Sequence, residues 1–417
     1  MSNWLAYSGL FVLGTLLGSQ LNHAIYRWAW NARRISPWSP ADPQAPPRRL
    51  LDRLPVLGWW GLRREAALHG RSFWIRPMLL EIVTGVALAS LYWWEIGRLE
   101  EAGLTATLSL RYLSHLILIS LLAIATFIDF DEQTIPDLVT VPGTLVGLLL
   151  AAVVPVSLLP ATGLNGIQSP LLVTSPFEWD SQLDGPVGLL SAWACLLVWC
   201  LAILPKVCTL RKGYWQSIRI MLASIVRPQR RTKSRLEVKP RKAYMITRVI
   251  GLSAVVGILM IAVVWSAGEL HWRGLLTALL GMAFGGGVIW SVRLIGGYAM
   301  QQEAMGFGDV TLMAMIGAFL GWQSTLIVFF LAPFAALLIG LIQLISIRRT
   351  DIAFGPYLAL ASVVLVIAWE PIWDLRAREF FQLGWFIPLL VGCCLILMGL
   401  LLVALQWLKQ LFRGGET

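Results

Sequence analysis

The sequence predicts an all-α fold, a bundle of helices that crosses a membrane many times. Hydrophobic residues make up 57% of the 417 residues and charged residues only 13%, whereas soluble domains carry about a quarter charged residues. Apolar runs close to the bilayer-crossing length of about 20 residues recur along the whole chain. This pattern excludes a disordered chain and argues against an ordinary soluble enzyme.

The apolar runs, about eleven in number, set the predicted topology. They cover residues 4–26, 78–94, 112–128, 138–159, 187–204, 249–267, 274–292, 309–321, 323–346, 356–370 and 384–408. The positive-inside rule assigns the basic segments 27–76 and 205–248 to the cytoplasm, which leaves the N-terminus outside. Run 309–321 gives about 18 Å of helix, too short to span the membrane unaided. We therefore expect a partial span that turns at Gly321–Trp322–Gln323.

The net charge of +10 does not predict a nucleic-acid partner. The basic residues orient the helices and contact anionic lipid head groups, so membrane lipids are the expected partner. No aromatic stacking pattern accompanies the charge of segment 205–248. The five cysteines form no C-x-x-C pair and the four histidines are scattered, so no metal site is predicted.

The first candidate for chemistry is Asp129, which directly follows the apolar residues 116–128 at the mouth of a helix. An acid at membrane depth is costly to bury, so a functional role is the default expectation. A solvated acidic turn is an equally open interpretation of this position. Pro136 ends one element, and Asp137 is interpreted first as the cap of the next helix, with a role in the site as the alternative.

The second candidate is Asp309, which follows Gly306-Phe307-Gly308 where a hydrophobic helix begins. Glycines let a backbone approach a substrate strand closely, so Gly306 and Gly308 belong to this candidate site. The simpler alternative is that Asp309 only caps its helix. Asp129 and Asp309 each lie at the cytoplasmic end of an apolar run. A helix bundle can therefore bring them together, although they lie far apart in sequence.

Two carboxyl groups within hydrogen-bond reach tend to share one proton, because both cannot ionise freely. The ionised member can take a proton from water while the protonated member donates to the carbonyl group under attack. This is aspartic-protease chemistry, which needs no metal, histidine or cysteine. Asp129 and Asp309 are therefore the candidate catalytic pair, with no cofactor required for proteolysis.

Six short blocks occur in order along the chain: Gly18-Ser19-Gln20-Leu21-Asn22 with Ile25-Tyr26-Arg27, Leu54-Pro55-Val56-Leu57-Gly58-Trp59, Arg76-Pro77-Met78-Leu79-Leu80-Glu81 with Thr84-Gly85, Asp129 through Asp137, Gly306-Phe307-Gly308-Asp309 with Gly317-Ala318 and Gly321, and Phe354-Gly355-Pro356-Tyr357 with Leu358-Ala359-Leu360. Together they resemble the signatures of the prepilin peptidases, the type IV leader peptidases of bacterial pilus and type II secretion systems. These enzymes belong with the GxGD membrane aspartyl proteases. One GxGD motif alone would be weak evidence, but six blocks in the family's order are strong evidence.

The resemblance implies that Asp129 and Asp309 form the catalytic pair of a multi-pass protein in the bacterial inner membrane. The implied substrates are prepilins or pseudopilins, whose short basic leader is cut after a glycine on the cytoplasmic side. The family often then N-methylates the new N-terminus from S-adenosylmethionine, a methyl donor for which the sequence offers no separate signature. Glu81, an acid inside the second apolar run, either pairs with Arg76 or belongs to a substrate or methyl-donor pocket.

Departures from the family pattern shape the predicted organisation. Segment 27–76 lacks the two C-x-x-C pairs that many members of the family carry, and Thr311 replaces the usual lysine after the GxGD motif. In comparison with the family pattern, residues 187–268 look like an insertion, and run 384–408 looks like an additional helix. The predicted segments are the first transmembrane helix (1–26), a cytoplasmic basic domain (27–76), helices with the first catalytic aspartate (77–186), inserted helices around the basic segment 205–248 (187–268), helices with the GxGD motif (269–370), and an additional C-terminal helix and tail (371–417).

Other functional classes stay open beside a prepilin peptidase. A GxGD protease for another class of leader or signal would differ only in what it cuts. A transporter or channel also needs many helices and buried acids, but it predicts repeated halves with broken helices. No such repeat is visible in the sequence, and the acids cluster at one face. Loss of either aspartate would have indicated a non-catalytic scaffold, and both are present.

Overall fold

The computed structural model describes residues 2–98, 105–162, 168–204, 238–301, 305–346, 353–384 and 386–413, so most of the basic segment 205–248 lies outside the described residues. Within these ranges the α-helices are α1 (Ser2–Trp28), α2 (Leu57–Leu62), α3 (Ala66–His69), α4 (Ile75–Tyr92), α5 (Thr105–Glu132), α6 (Asp137–Val153), α7 (Pro186–Ala202), α8 (Val238–Ala267), α9 (Glu269–Met300), α10 (Phe307–Ser346), α11 (Gly355–Ile367), α12 (Trp369–Ile372), α13 (Arg378–Phe381) and α14 (Phe386–Arg413). Short 3₁₀ helices cover Leu50–Arg53, Arg63–Glu65, Pro155–Ser157 and Ser181–Asp184, and π-helical turns cover Trp93–Gly97 and Trp373–Ala377.

The helices confirm a polytopic membrane bundle. In the described part of the chain, seven helices are long and apolar enough to cross a membrane, and one of these, α10, is broken at Gly321. An eighth span results if Gly355–Ile367 and Trp369–Phe381, which meet at a bend of 85°, count as one. Two further predicted runs form apolar helices of only 17 residues, α6 and α7. The predicted number of eleven is thus not confirmed, and the outside position of the N-terminus stays a prediction.

The turn predicted at Gly321–Trp322–Gln323 is confirmed by a break in α10 at Gly321, where φ is 80° and ψ is 172°. A Cβ atom built on Gly285 of α9 would lie 2.5 Å from the carbonyl oxygen of Met313 and 2.8 Å from Cγ2 of Thr325. A straight helix would separate residues 313 and 325 by about 18 Å. The chain therefore folds back at Gly321, and its first part is a partial span that packs against α9.

The tip of this fold-back is tied to the segment between α6 and α7. That segment contains a short antiparallel hairpin, β1 (Pro160–Thr162) with β2 (Gln168–Pro170). Directly after it, the carbonyl oxygen of Leu172 accepts a hydrogen bond from Nε2 of Gln323 at 2.7 Å, and that of Val173 accepts one from Nε1 of Trp322 at 2.8 Å. The side-chain N–H donors of Trp322 and Gln323 are thus satisfied inside the protein, whereas Oε1 of Gln323 is buried without a hydrogen-bond partner among the described residues.

The largest cluster of buried apolar side chains lies between α5, α10 and α11. Leu118 of α5, Met313 and Ile316 of α10 and Leu358 of α11 are all inaccessible to solvent. The helices that carry Asp129 and Asp309 are therefore packed at the centre of the bundle, which fixes the ends of these helices relative to one another.

Two ion pairs with buried carboxylates lie in the segment between α1 and α4. Arg48 pairs with Glu65 at 3.3 Å, and Arg64 pairs with the buried Asp52. Burial raises the pKa of Asp52, but hydrogen bonds from Arg64 and from the N–H of Arg49 lower it by more, so this pKa lies below its usual range. The pair therefore contributes stability at neutral pH that is lost as the pH falls through the lowered pKa.

Candidate active site

Asp129 lies in the last turn of α5 and is only 5% exposed. The helix ends because Gln133 adopts a left-handed backbone (φ 53°) and donates its N–H to the carbonyl oxygen of Asp129 at 2.8 Å. Pro136, in an extended conformation, then leads into α6. The abrupt end of the helix leaves the carboxyl group of Asp129 at the helix mouth.

Asp309 lies in the first turn of α10 and is 7% exposed. Asp309 is the third residue of the helix and not its N-cap, but its carboxylate accepts the N–H of Gly306, which precedes the helix, as in the second half of a capping box. Capping does not exclude catalysis, because a carboxylate has several lone-pair sites. A Cβ atom built on Gly308 would lie 2.8 Å from the Cβ of Ile135. Glycine at this position therefore lets the Asp309 loop rest on the residues that follow α5.

Gly355, the first residue of α11, is where the two acids meet. Its N–H donates a hydrogen bond to the carboxylate of Asp129. A Cβ atom built on Gly355 would lie 2.6 Å from Oδ2 of Asp129 and 3.4 Å from Oδ1 of Asp309. One oxygen of each acid therefore lies within 3.4 Å of the same point in space. The two oxygens are therefore no more than 6.0 Å apart, a separation that a single water molecule with hydrogen bonds of up to about 3.0 Å can bridge.

Sequence reasoning missed the contribution of Gly355. The residue stands in the Phe354–Tyr357 block, which only supported the family resemblance. A signal was present, because a glycine that opens a hydrophobic helix often marks a close backbone approach. Nothing in its spacing, however, connects it with two acids that lie far before it in the chain.

Residues of the basic segment 27–76 form hydrogen bonds with the last turn of α5. Arg76 donates to Oδ1 of Asp131 at 2.6 Å and to the carbonyl oxygen of Phe127 at 3.2 Å. The carboxylate of Glu132 accepts the backbone N–H groups of residues 30 and 31 at 2.6 and 2.9 Å. Arg76 thus holds helix α5 on both sides of Asp129, which restricts the position of that carboxyl group.

The interpretation of Glu81 as the ion-pair partner of Arg76 is wrong. Arg76 turns to Asp131 on α5 instead. The reason is helical geometry, since residues five apart on one helix point in directions about 140° apart and do not face each other. Glu81 is fully buried on the other side of α4, against α1.

Glu81 joins three of the six sequence blocks. Its carboxylate accepts hydrogen bonds from the indole N–H of Trp59 at 2.8 Å, from Nδ2 of Asn22 at 3.3 Å, from the N–H of Val56 and from the side chain of Ser19. Val56 has a φ of 64°, a conformation that costs a β-branched residue roughly 1–3 kcal/mol. Glu81 therefore pins a strained turn of the basic segment to the membrane helices.

Asp137 is the first residue of α6, and its side chain is exposed. The N-cap position belongs to Pro136, and no side-chain hydrogen bond caps this helix. The predicted capping hydrogen bond from Asp137 is therefore absent, although an acid in the first turn still interacts favourably with the helix dipole. A substrate-proximal role for Asp137 stays a prediction.

Among the residues that the structure describes, no group of three or more histidine, cysteine, aspartate or glutamate side chains could hold a metal ion. Thr311, at the position of the family's usual lysine, donates to the carbonyl oxygen of Gly308 and accepts a hydrogen bond from Thr140, both at 3.0 Å. This contact joins α6 to the start of α10, so Thr311 helps to position the Asp309 loop.

Residues 244–341 match the model of the type IV leader peptidase family. The matched range contains Gly306–Asp309, whereas Asp129 lies outside it.

Curated proteins with the name prepilin leader peptidase/N-methyltransferase are similar to this chain. The protein from Pseudomonas aeruginosa PAO1 is 35% identical over 113 residues, 26% of this chain and 37% of that protein. The protein from Escherichia coli K12 is 34% identical over 96 residues, 22% of this chain and 43% of that protein. The protein from Myxococcus xanthus is 32% identical over 142 residues, 34% of this chain and 39% of that protein. This chain thus spans about two fifths of the length of these relatives.

No solved structure matches the chain. The family match and the named relatives nevertheless confirm the resemblance that the six blocks predict. The chain is a multi-pass membrane protein that is similar over part of its length to prepilin leader peptidases, and its residues 244–341 match the type IV leader peptidase family.

Proposed function

We propose that this chain is an integral-membrane aspartic endopeptidase that removes basic leader peptides from type IV prepilins or type II secretion pseudopilins. The observation that carries the proposal is the meeting of Asp129 and Asp309 at Gly355, where one oxygen of each acid lies within 3.4 Å of the built Cβ position. Two carboxyl groups arranged in this way supply a base and an acid without a cofactor. The family match and the relatives' name support the choice of substrate.

In the proposed reaction a water molecule lies between the two carboxyl groups. The ionised group takes a proton from this water as its oxygen attacks the carbonyl carbon of the scissile peptide bond, and the protonated group donates its proton to the carbonyl oxygen. The first group then returns its proton to the leaving nitrogen as the C–N bond breaks, and the second group recovers its proton from a hydroxyl group of the intermediate as the product carboxylic acid forms. The protonation of the pair belongs to both residues together. Burial of both groups lowers the local dielectric constant and strengthens their interactions with the peptide.

The cytoplasmic side of cleavage is part of the proposal and is supported by the contacts of the Asp129 turn. Glu132, three residues after Asp129, accepts backbone N–H groups from Trp30 and Asn31. Those residues open the basic segment 27–76, which the positive-inside rule assigns to the cytoplasm. The acids and the basic segment then share one face of the membrane.

An assay with purified components tests the proposal. The chain is reconstituted in lipid nanodiscs with a prepilin whose basic leader ends in glycine, and the product masses are measured. We expect a single cut after that glycine. An intact prepilin, together with cleavage of a precursor that carries a different leader or signal, would favour the alternative of a GxGD protease with another substrate class.

Chelators are expected to leave the rate of cleavage unchanged. The proposed chemistry uses water and two carboxyl groups only, and segment 27–76 lacks the cysteine pairs that could hold a metal. The measurement compares initial rates with and without a strong chelator, with a zinc-dependent protease as the positive control. Strong inhibition of this chain would show that a metal site has been overlooked.

Gly308→Ala is expected to lower the rate of cleavage more than Gly306→Ala. An added Cβ at Gly308 would meet Ile135 at 2.8 Å, whereas at Gly306 the nearest atom is Oδ2 of Asp309 at 3.5 Å, an ordinary contact. A displacement of the loop by an ångström can cost about 10²-fold in rate, which is the effect expected for Gly308→Ala. Initial rates at equal protein levels check this order, and equal losses in both variants would contradict the packing argument.

N-methylation of the new N-terminus is a second candidate activity, supported by the N-methyltransferase part of the relatives' name. S-adenosylmethionine would supply the methyl group, and Glu81 is the acid that the sequence offered for its pocket. Glu81, however, already accepts four hydrogen bonds from the protein, so its carboxylate does not fit a role in holding the methyl donor. The mass of a mature pilin, measured with and without S-adenosylmethionine, tests whether a methyl group is added.

A further inference from the structure

The 3₁₀ helix Leu50–Arg53 and helix α2 form a compact unit, here called the Leu50–Leu62 hairpin. The two short helices pack directly on each other, because a Cβ atom on Gly58 would collide with the backbone of Asp52. Their outer faces are apolar. Leu54, Leu57 and Trp60 are 47%, 69% and 55% exposed, and the leucines at positions 50 and 51 are also exposed. A surface of this kind is unusual for a segment that lies in water.

The Leu50–Leu62 hairpin is in direct contact with the membrane helices. Its turn is pinned to Glu81 through the N–H of Val56 and the indole N–H of Trp59. Glu81 lies six residues into the candidate span Ile75–Gly97, which is about 9 Å along the helix axis. The turn of the hairpin therefore lies beside the second turn of a membrane-spanning helix, at the depth of the head groups or below.

Arginines and tryptophans surround the apolar face. The guanidinium group of Arg63 lies 4.1 Å from the centre of the Trp60 ring and 6.0 Å from that of Trp74, the residue that precedes α4. The two tryptophan rings are in edge-to-face contact at 5.3 Å. Arg49 and Arg53 flank the leucines. Tryptophan beside arginine is the pattern of the boundary between acyl chains and anionic head groups.

We propose that the Leu50–Leu62 hairpin is an interfacial anchor, which inserts its apolar face into the bilayer leaflet at the Ile75 end of α4 and places its arginines on anionic lipid head groups. The positive charge of Arg49, Arg53 and Arg63 favours an anionic lipid leaflet over the other segments that could cover this face. The basic segment 205–237 of the same chain would be repelled by these arginines, and so would a basic leader peptide. An anionic lipid leaflet complements both the apolar face and its charged rim.

Spin labelling of the full chain in nanodiscs tests the anchor. A label is attached at Leu57→Cys, and at Gln44→Cys as the matched control, in a background in which the five native cysteines are replaced by serine or alanine. Both positions are exposed side chains of the same segment, so neither label should disturb folding. In nanodiscs with anionic lipid, we expect the label at 57 to have a several-fold higher ratio of oxygen to nickel-chelate accessibility than the label at 44. Equal ratios at the two positions would overturn the proposal.

Two further comparisons separate the lipid leaflet from other occupants. Nanodiscs of zwitterionic lipid alone are expected to lower the ratio at 57, because the arginines lose their partners. An unchanged ratio would overturn the role of charge. Protection of position 57 that arises only when a prepilin is added would assign the face to substrate instead. Protection that disappears on deletion of residues 205–237 would assign it to that segment. Either result would overturn the anchor.

Discussion

Asp129→Asn and Asp309→Asn are each expected to abolish cleavage of a prepilin while the protein stays folded in the membrane. Asparagine keeps the size of the side chain beside Gly355, but it can neither take a proton from water nor donate one as an acid. Loss of such a group costs about 10²–10⁴-fold in rate. Initial rates on a purified prepilin, followed by product mass, measure the effect.

Asp374→Asn is the matched control for these variants. Asp374 is an exposed acid in the π-helical turn Trp373–Ala377, which follows the bend after α11 and lies far from the start of that helix. This variant should cleave at the wild-type rate. Size-exclusion profiles and thermal unfolding establish that all three variants are folded. Near wild-type cleavage by both Asp129→Asn and Asp309→Asn would remove the proposed mechanism.

Gly355→Ala is expected to lower the rate of cleavage by about 10²-fold or more, the usual cost of a displacement of about 1 Å at a reacting group. The added Cβ atom would lie 2.6 Å from Oδ2 of Asp129 and 2.7 Å from Cδ1 of Ile135, distances at which something must move. Relief of the overlap shifts the carboxyl group of Asp129 and lengthens its hydrogen bond to the N–H of residue 355. The rate is measured at saturating prepilin, so that a change in chemistry is separated from a change in binding.

Gly287→Ala is the control for this substitution. A Cβ atom built on Gly287 of α9 has no heavy atom within 4 Å, so this variant carries the same chemical change without an overlap. We expect it to retain wild-type activity and to gain slightly in helix stability. If Gly355→Ala cleaves as fast as Gly287→Ala, the contact of Gly355 with the two acids has no part in the reaction.

Most of the helical architecture was predictable because a membrane accepts few other structures. The apolar runs predict helices, and the short run before Gly321 correctly predicts a partial span that folds back. The number of spans was not predictable from hydropathy alone. Run 138–159 forms a helix of only 17 residues, because the backbone leaves the helical conformation at Val154, where φ is −131° and ψ is 72°. Run 187–204 forms the helix Pro186–Ala202, which is close to the length of the run itself. Local backbone geometry therefore shortens the first helix relative to its apolar run, but not the second.

The two acids of the candidate site could be predicted from the sequence, but the residues that contact them could not. Asp129 and Asp309 could be nominated because each stands where an apolar run meets the membrane edge. The contact of Gly355 with both acids arises only from tertiary packing of α11 on α5 and α10. The pairing of Arg76 with Asp131, in place of Glu81, follows from which face of α4 each residue occupies. Sequence proximity favoured the wrong partner, and helical periodicity would have corrected it.

Cleavage by the Asp129–Asp309 pair is tested most directly by the mass of a pilin N-terminus after co-expression with this chain in a host that lacks a leader peptidase of its own. We expect the wild-type chain to yield a pilin that begins directly after the leader's glycine, and the Asp129→Asn chain to yield a pilin with its full leader. If the pilin keeps its leader with the wild-type chain, or loses it equally with both chains, the two acids do not carry out leader cleavage.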